Sequence, residues 1–338
     1  MMIIRPIQAN DYEALYQCAV ESGVGFTSLP VNEQLLHKKI DQSIQSFASQ
    51  VEKPGPESYL FVMQDTHSDE VVGTSGIQAA VGLDDAFYHY HMGKVVHASR
   101  ELDIYNPIDI LTCCNDYTGV SEICTLFLRE QARKSYNGRF LSKFRFLFIA
   151  EHAQRFSERV IAEMRGVSDE NGNSPFWQWL EEHFFSLDFP TVDYLTGIGQ
   201  KGFIAELMPK YPIYVSLLSK EAQAVIGKVH EKTRPALQLL HSEGFSCRGY
   251  VDIFDAGPTV EAHVQHIRTA QASQKLAVKI GHPEHAEVKI IINTHVADFR
   301  GVAVPALVEG EHLIISQAAA TALKVQDGDM VRFAPIKL

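Results

Sequence analysis

The sequence predicts an α/β (α+β) fold, and three observations carry that expectation. Residues 123–128 are an apolar, β-prone run bounded by polar residues, the pattern of a buried strand. A basic, glycine-containing turn from Arg133 to Arg139 follows, and then Phe140, Leu141, Phe144, Leu147 and Phe148 recur at the spacing of one helical face. From about residue 270 the chain changes character to short β-type runs separated by turns. Strand, basic turn and helix in that order form a device for holding phosphate. The free N–H groups of the turn and of the first helical turn converge, and the helix dipole adds positive potential there.

The whole chain sets bounds on function. Its 338 residues can bury a sizeable core. The formal charge of −11 argues against nucleic acid as a bulk partner, although it permits a local basic pocket. No apolar run has the length of a membrane span, and MMIIRPIQAND lacks the basic and long apolar regions of a secretory signal. The five cysteines, Cys18, Cys113, Cys114, Cys124 and Cys247, have no C-x-x-C spacing and read as reduced thiols of a cytoplasmic protein.

Taken in order, Ile3 to Pro6 start a strand, and Asn10 or Asp11 caps a helix with Tyr12, Leu15, Tyr16 and Ala19 on one face. Residues 23–30, GVGFTSLP, form a loop suited to gripping an acceptor substrate between rigid elements. A second helix begins near Asn32, with Leu35, Leu36, Ile40, Ile44, Phe47 and Val51 as its apolar stripe. Residues 59–64 and 71–81 read as an antiparallel hairpin, and 87–98 as a third strand. Within that strand His89, His91 and His97 share a face with no carboxylate or thiol in register, so they read as structural or surface histidines and no metal is expected. Residues 106–116 read as an irregular excursion. After the phosphate-loop helix, 159–167 read as a strand, 168–233 as a helical insertion with a buried aromatic run at 174–186, and 250–254 as a closing strand. In the last part, 288–292, 301–307 and 313–316 read as strands. A short helix at 317–323 and an Asp327-Gly328 turn lead into a final strand at 330–333.

Arg133-Lys134-Ser135-Tyr136-Asn137-Gly138 resembles the acyl-CoA loop of the GNAT N-acyltransferases, R/Q-x-x-G-x-G/A, with Tyr136 in place of the first glycine. ALQLLHSEGF at 236–245 resembles that superfamily's A-x-x-L-Y-x-x-x-G-F segment, with Leu240 where many members carry a tyrosine acid. The assembly as a whole resembles the bacterial arginine N-succinyltransferases, from MIIRP through the last strand. The resemblance rests on GFTSLP, AVGLDD, VHAS, NDYTG, EICTLFL, NGRFLSKFRF, AEMRGV, SPFWQ, GQKGFIAELMPKYPIY, GKVH and DIFDAGPT. It implies a GNAT fold with a mixed, mostly antiparallel sheet over residues 1–268; the short β-type runs after it read as a small β-rich lobe of double-psi-barrel type over 269–338. It also implies succinyl-CoA as co-substrate, L-arginine as acceptor and N2-succinyl-L-arginine as product. A homodimer is the expected assembly, with no bound cofactor, nucleic acid or membrane.

The resemblance assigns Leu126 to succinyl-CoA contact and His230, in GKVH, to the role of proton donor. Around Leu126, the residues expected to bind acyl-CoA are Phe127, Leu128, Arg133, Lys134, Asn137, Gly138 and Arg139. The chemistry agrees with these roles. A main-chain N–H at Leu126, where the central strand parts from its neighbour, polarises the thioester carbonyl, a contact worth ~3 kcal/mol in the transition state. An imidazole titrating near ~6.5 suits proton transfer at neutral pH. An α-amine loses its proton far more readily than a guanidinium, which directs acylation to the α-nitrogen. Glu206, Asp193 and Asp116 are candidates for holding arginine, and Arg165 and Arg145 for the succinyl carboxylate. Two alternatives stand beside this reading: another acyl-CoA or an ornithine-like acceptor on the same fold, and a non-catalytic acyl-CoA or arginine sensor.

Overall fold

The computed structural model describes residues 1–23, 25–283 and 285–337. Its strands are β1 (Met2–Pro6), β2 (Ser58–Asp65), β3 (Val71–Gln78), β4 (His89–Ser99), β5 (Ile104–Cys114), β6 (Ser121–Leu128), β7 (Arg159–Glu163), β8 (Ile213–Tyr214), β9 (Ser246–Val251), β10 (Pro258–His263), β11 (Gln274–Ile280), β12 (Val288–Asn293), β13 (Gly301–Pro305), β14 (Leu307–Glu309), β15 (His312–Ile315) and β16 (Met330–Pro335). They join in one sheet of order β14-β15-β11-β16-β12-β13-β1-β2-β3-β6-β7-β10-β9-β4-β5-β8. Among the described pairings, β6 with β7 and β11 with β15 are parallel and the others antiparallel. The helices are α1 (Tyr12–Ser22), α2 (Glu33–Ala48), α3 (Asn137–Glu151), α4 (Pro175–Leu180), α5 (Phe189–Gly197), α6 (Gly202–Leu207), α7 (Lys220–Val225), α8 (Arg234–Ser242), α9 (Arg268–Gln271) and α10 (Gln317–Leu323).

Alternation along β2 builds two cores. Tyr59, Phe61 and Met63 face α3 and its aromatic cluster, while Leu60 and Val62 face Leu15, Leu36 and Ile40 of α1 and α2. Beyond the end of β1, the edge of β2 is taken over by α2. The Ser58 and Leu60 N–H groups donate to Ser46 Oγ and Ser43 Oγ at 3.0 and 2.9 Å, so main-chain donors that β1 does not reach stay satisfied. Asn32 caps α2 through its side chain, which accepts from Leu35 N–H. Ile44 is solvent-exposed and Val51 lies past the helix end, so the apolar stripe is narrower than the sequence pattern.

Asp11 is not a simple helix cap. Its carboxylate accepts from both Arg5 Nη atoms, at 2.6 and 2.8 Å, and from Gln8 N–H, and the pair is buried. Removing one member would strand a charge in the interior. Asp11→Ala is therefore expected to cost about 3–5 kcal/mol of stability, read as a lowered urea midpoint with unchanged slope.

Residues 106–114 belong to a strand and are no irregular excursion, and 115–116 lie just past its end. β5 pairs β4 continuously from Ser99↔Ile104 to His89↔Cys114. Much of its length is exposed on both faces, so it lacks the apolar alternation that marks a strand in sequence, and Pro107, which has no N–H, sits where no further strand needs one. The closing strand is likewise displaced. β9 ends at Val251, and Ile253 and Phe254 lie in a turn whose Phe254 and Asp255 N–H groups bond Asp252 Oδ1 at 2.7 and 2.9 Å. β7 ends at Glu163, short of Val167. β10 and β11 had no counterpart in the sequence reading. Close main-chain approach explains two motif glycines here. A Cβ at Gly257 would lie 2.1 Å from Met164 O, and one at Gly166 would lie 2.6 Å from Asp255 O.

The insertion folds over β4, β5 and β9, with Phe176, Trp177, Leu180 and Phe189 in its core. Beyond residue 269, β13 pairs β1, so the C-terminal strands continue the main sheet while Val278, Leu313, Ile315, Leu323 and Val331 close a core of their own. They also supply Ile290, Ile292 and Ile336 to the core around α3. That is why α3 is buried on all sides, including Lys143 and Arg145, where its sequence suggested one apolar face.

Candidate active site

The centre of the sheet forks. β6 pairs β7 only at Ser121↔Val160 and Glu122↔Ile161, and past that point the two strands have no common register. On its other edge, β6 pairs β3 through a bulge: Gly76 faces Cys124, Thr74 faces Phe127, and Thr125 and Leu126 lie between. Thr125 has φ +52°, a conformation that a β-branched residue rarely adopts. The extra residue reverses the alternation of the strand. Ile123, Leu126 and Leu128 pack with the α3 core, and Phe127 joins the α1–α2 core. The side chain of Leu126 is thus committed to packing, and its main chain lies at the bulge beside the fork.

The basic turn leads out of this strand. Arg133, Lys134, Gly138 and Arg139 are exposed around the start of α3, whose first turn has no side-chain cap. Arg133 Nε donates to Leu128 O at 2.8 Å and its guanidinium lies over Phe127, which anchors the turn to β6. Asn137 is buried and bonds Ala132 O, so it locks the turn and is not a free ligand. The glycine position occupied by Tyr136 needs no glycine here. Tyr136 has φ −109°, and the left-handed residue is Ser135, at φ +53°. With its cations exposed and its helix start uncapped, the turn suits a diphosphate.

His230 stands at the fork by a main-chain argument. The Arg165 C=O and the Gly166 N–H belong to one trans peptide and point to opposite edges. Gly166 N–H bonds Asp255 Oδ2 at 2.6 Å on the β10 side, while Arg165 O accepts from His230 N–H at 2.9 Å. His230 therefore approaches from the edge that faces β6, where Val229 bridges Gly166. Its Nδ1 accepts from Lys232 N–H at 3.2 Å, so a neutral ring holds its proton on Nε2. Partial burial, Arg165 and Lys232 all lower its pKa.

Arg165 is half-buried, with Nη2 on Ser168 Oγ and an Nε that has no partner among the described residues. Burial lowers its pKa against the opposing pull of Asp255 and Asp193. A Cβ on Gly25 would touch that Nε, so Arg165 abuts the predicted acceptor loop. Asp193, on α5, ties the same loop down: it accepts from Gly25 N–H at 3.0 Å and from the Thr27 hydroxyl. Burial raises its pKa, opposed by these bonds and by Arg165. Val24, within the loop, lies outside the described residues. The other candidates stand apart from this group. Glu206 is exposed on α6, and Asp116 is exposed beyond β5, where it accepts from the Tyr250 hydroxyl at 2.8 Å. Arg145 is fully buried beneath β6, bonded to Ser142 and to Cys124 O, and is not solvated.

Three features of the fork went unread in the sequence. Glu122 and Glu163 lie on one face, because Glu122 is level with Ile161 and Glu163 is two residues further along. Burial and Glu163 push the Glu122 carboxyl up to about 8. His89 is fully buried with Nε2 2.9 Å from Glu163 Oε1, which supplies the carboxylate partner that its strand lacks. Burial raises the Glu163 pKa and lowers that of His89, so the contact favours its uncharged form. Lys39, from α2, lines a narrow cavity with Gly76, Gln78, Cys124 and Thr125, and Lys201 lies near enough to repel it. The one available signal was a glutamate beside an apolar strand; the partners come from elements distant in sequence. Among the described residues, no group of three or more His, Cys, Asp or Glu side chains is placed to hold a metal ion, and no helix is long and apolar enough to cross a membrane.

Comparison with known proteins gives a consistent result. The family described as "Arginine N-succinyltransferase beta subunit" matches residues 2–269, and its C-terminal domain matches residues 274–335. A Yersinia pestis (strain Pestoides F) protein named arginine N-succinyltransferase is 46% identical, over 99% of each chain. A Salmonella paratyphi B protein of the same name is 46% identical over 98% of this chain and 97% of its own. The solved structure of arginine/ornithine succinyltransferase subunit AI from Pseudomonas aeruginosa superposes with a TM-score of 0.93 at 37% identity, covering 100% of this chain and 99% of that one. With the family matched along nearly its whole length, the chain belongs to the arginine N-succinyltransferases, a family of acyltransferase enzymes.

Proposed function

We propose that this chain transfers the succinyl group of succinyl-CoA to the α-amine of L-arginine, giving N2-succinyl-L-arginine and CoA. The observation that carries the reading is the fork between β6 and β7, opened beside a bulge and followed directly by a basic, uncapped helix start. The CoA diphosphate rests against Arg133, Lys134, Arg139 and the first N–H groups of α3. The thioester carbonyl then reaches the Leu126 N–H, which stabilises the oxyanion as the amine adds.

Each proton has a place to go. The Glu122 carboxyl, raised to about 8 by burial, is matched to the α-ammonium of the acceptor, so taking that proton is nearly neutral in free energy. The C–N bond forms and the C–S bond breaks; His230, as the imidazolium, gives its Nε2 proton to the departing sulfur, and the second proton of the attacking nitrogen restores the imidazolium. The local charges that lower its pKa make the imidazolium a stronger acid toward sulfur. Arg165, abutting the loop that Asp193 anchors, pairs with the carboxylate of the amino acid. Asp193→Ala would free that loop and is expected to raise KM for arginine by roughly tenfold, with KM for acyl-CoA little changed in initial-rate kinetics. Residues 1–268 carry this chemistry, and 269–338 pack against α3 and β1.

Thiol release measured over succinyl-CoA and acetyl-CoA against arginine and ornithine tests the reading. The largest kcat/KM is expected for succinyl-CoA with arginine. Turnover with acetyl-CoA alone would move the activity to another acyl group, and binding of every ligand without thiol release would make the chain a sensor. Ornithine stays in the matrix because the solved Pseudomonas aeruginosa relative is described as acting on arginine or ornithine.

A further inference from the structure

The acyl group that distinguishes this reaction ends in a carboxylate, and an unpaired carboxylate in a dry site needs a cation. The cations around the fork can be sorted by what already holds them. Lys143 is paired with buried Glu243 at 2.8 Å. Arg145 is spent on Ser142 and Cys124 O beneath the strand. Arg165 lies beside His230 and Gly25, at the acceptor loop. Arg133, Lys134 and Arg139 are exposed at the turn.

Lys39 is different. It projects from α2 into the cavity that Gly76, Gln78, Cys124 and Thr125 line, with Ser28 and Leu29 from the acceptor loop across from it. Among the described residues it has no carboxylate within ion-pair distance. Burial lowers its pKa, Cys124 and Glu122 pull it back up, and Lys201 and Lys38 add weaker like-charge repulsion. A lysine drawn from water without an ion-pair partner, in the wall of a cavity at the bulge, suits a negative ligand. Thr125 is both a wall of this cavity and the neighbour of Leu126. The succinyl carboxylate lies three carbon–carbon bonds from the thioester carbon, about 4 Å in extended form. A carbonyl held at the Leu126 N–H therefore places it within reach of the α2 side of the bulge.

We infer that Lys39, with Lys201 beside it, binds the terminal carboxylate of the succinyl group and so sets the selectivity for a dicarboxylic acyl-CoA. The inference rests on the acyl transfer proposed above and deepens it by naming the residue that reads the acyl tail. Lys39 acts here as a specificity residue: it neutralises a charge that acetyl-CoA lacks, and the bond-making atoms do not touch it.

The test is the ratio of kcat/KM for succinyl-CoA to that for acetyl-CoA, with arginine as acceptor, in wild type, Lys39→Met and Lys39→Arg. In Lys39→Met the ratio is expected to fall about 100-fold or more, because the incoming carboxylate is left unpaired. Lys39→Arg should keep most of the ratio. Calorimetry supplies a measurement independent of turnover: Lys39→Met should weaken binding of succinyl-CoA while CoA itself binds as before. A parallel fall for both acyl donors, or a loss confined to KM for arginine, would overturn the inference. A wild type that releases no thiol from succinyl-CoA would instead overturn the proposed activity, so the two failures are separate.

Discussion

His230→Ala lowers kcat by about 10²–10⁴ while leaving the affinity for CoA essentially unchanged. The size follows from the loss of a positioned proton donor, and the selectivity follows from where the residue sits. The ring contacts the Lys232 N–H, and its main chain bridges to Arg165 at the mouth of the fork, whereas the cations at the start of α3 belong to another element. His230→Gln, which keeps an N–H but cannot release a proton, should be nearly as slow as the alanine variant. That separates proton transfer from simple hydrogen bonding to sulfur. Single-turnover kinetics with preloaded succinyl-CoA give the relevant rate. A variant with wild-type kcat would remove His230 from the chemistry.

Leu126→Pro is expected to cost about 10²–10³ in kcat, the usual consequence of deleting one oxyanion donor. Proline removes the main-chain N–H and nothing else that the reaction uses. The position is one of the few in a central strand that can accept it. It lies in a bulge and beyond the last pair that β6 makes with β7, so no ladder bond to that neighbour is lost. Leu126→Ala serves as the comparison. It trims a side chain that only packs against the α3 core, and it should lower stability more than kcat. Equal kcat values for the two variants would place the oxyanion donor elsewhere. Thermal unfolding of both proteins confirms that the proline variant is folded when its rate is measured.

Much of the fold was legible because its signals are local. The run before Leu128, the basic turn and the helical spacing from Phe140 to Phe148 are contiguous, and each element declares itself through its own periodicity. β5 failed that test because it is exposed on both faces and owes its existence to pairing with β4. The stretch after Val251 failed for the opposite reason: its apolar residues are buried in a turn that Asp252 organises, so hydrophobicity there marks burial and not a strand.

The candidate site divides along the same line. Arg133, Lys134 and Arg139 could be named from sequence, since a cation on a turn before a helix has meaning on its own. Glu122, His89 and Lys39 could not. Each looks ordinary in its segment, and each changes character only where distant strands and a helix remove it from water together.

By itself, the sequence determined the central strand, the basic turn and the helix after it, and the family to which the chain belongs, because these are written in short-range spacing and motif. The tertiary structure alone decided that the strand next to that turn carries a bulge at Thr125 and parts from β7 after Glu122. It also decided which charges the fork buries. Register and desolvation are properties of paired strands and shared interiors, and no single segment contains them.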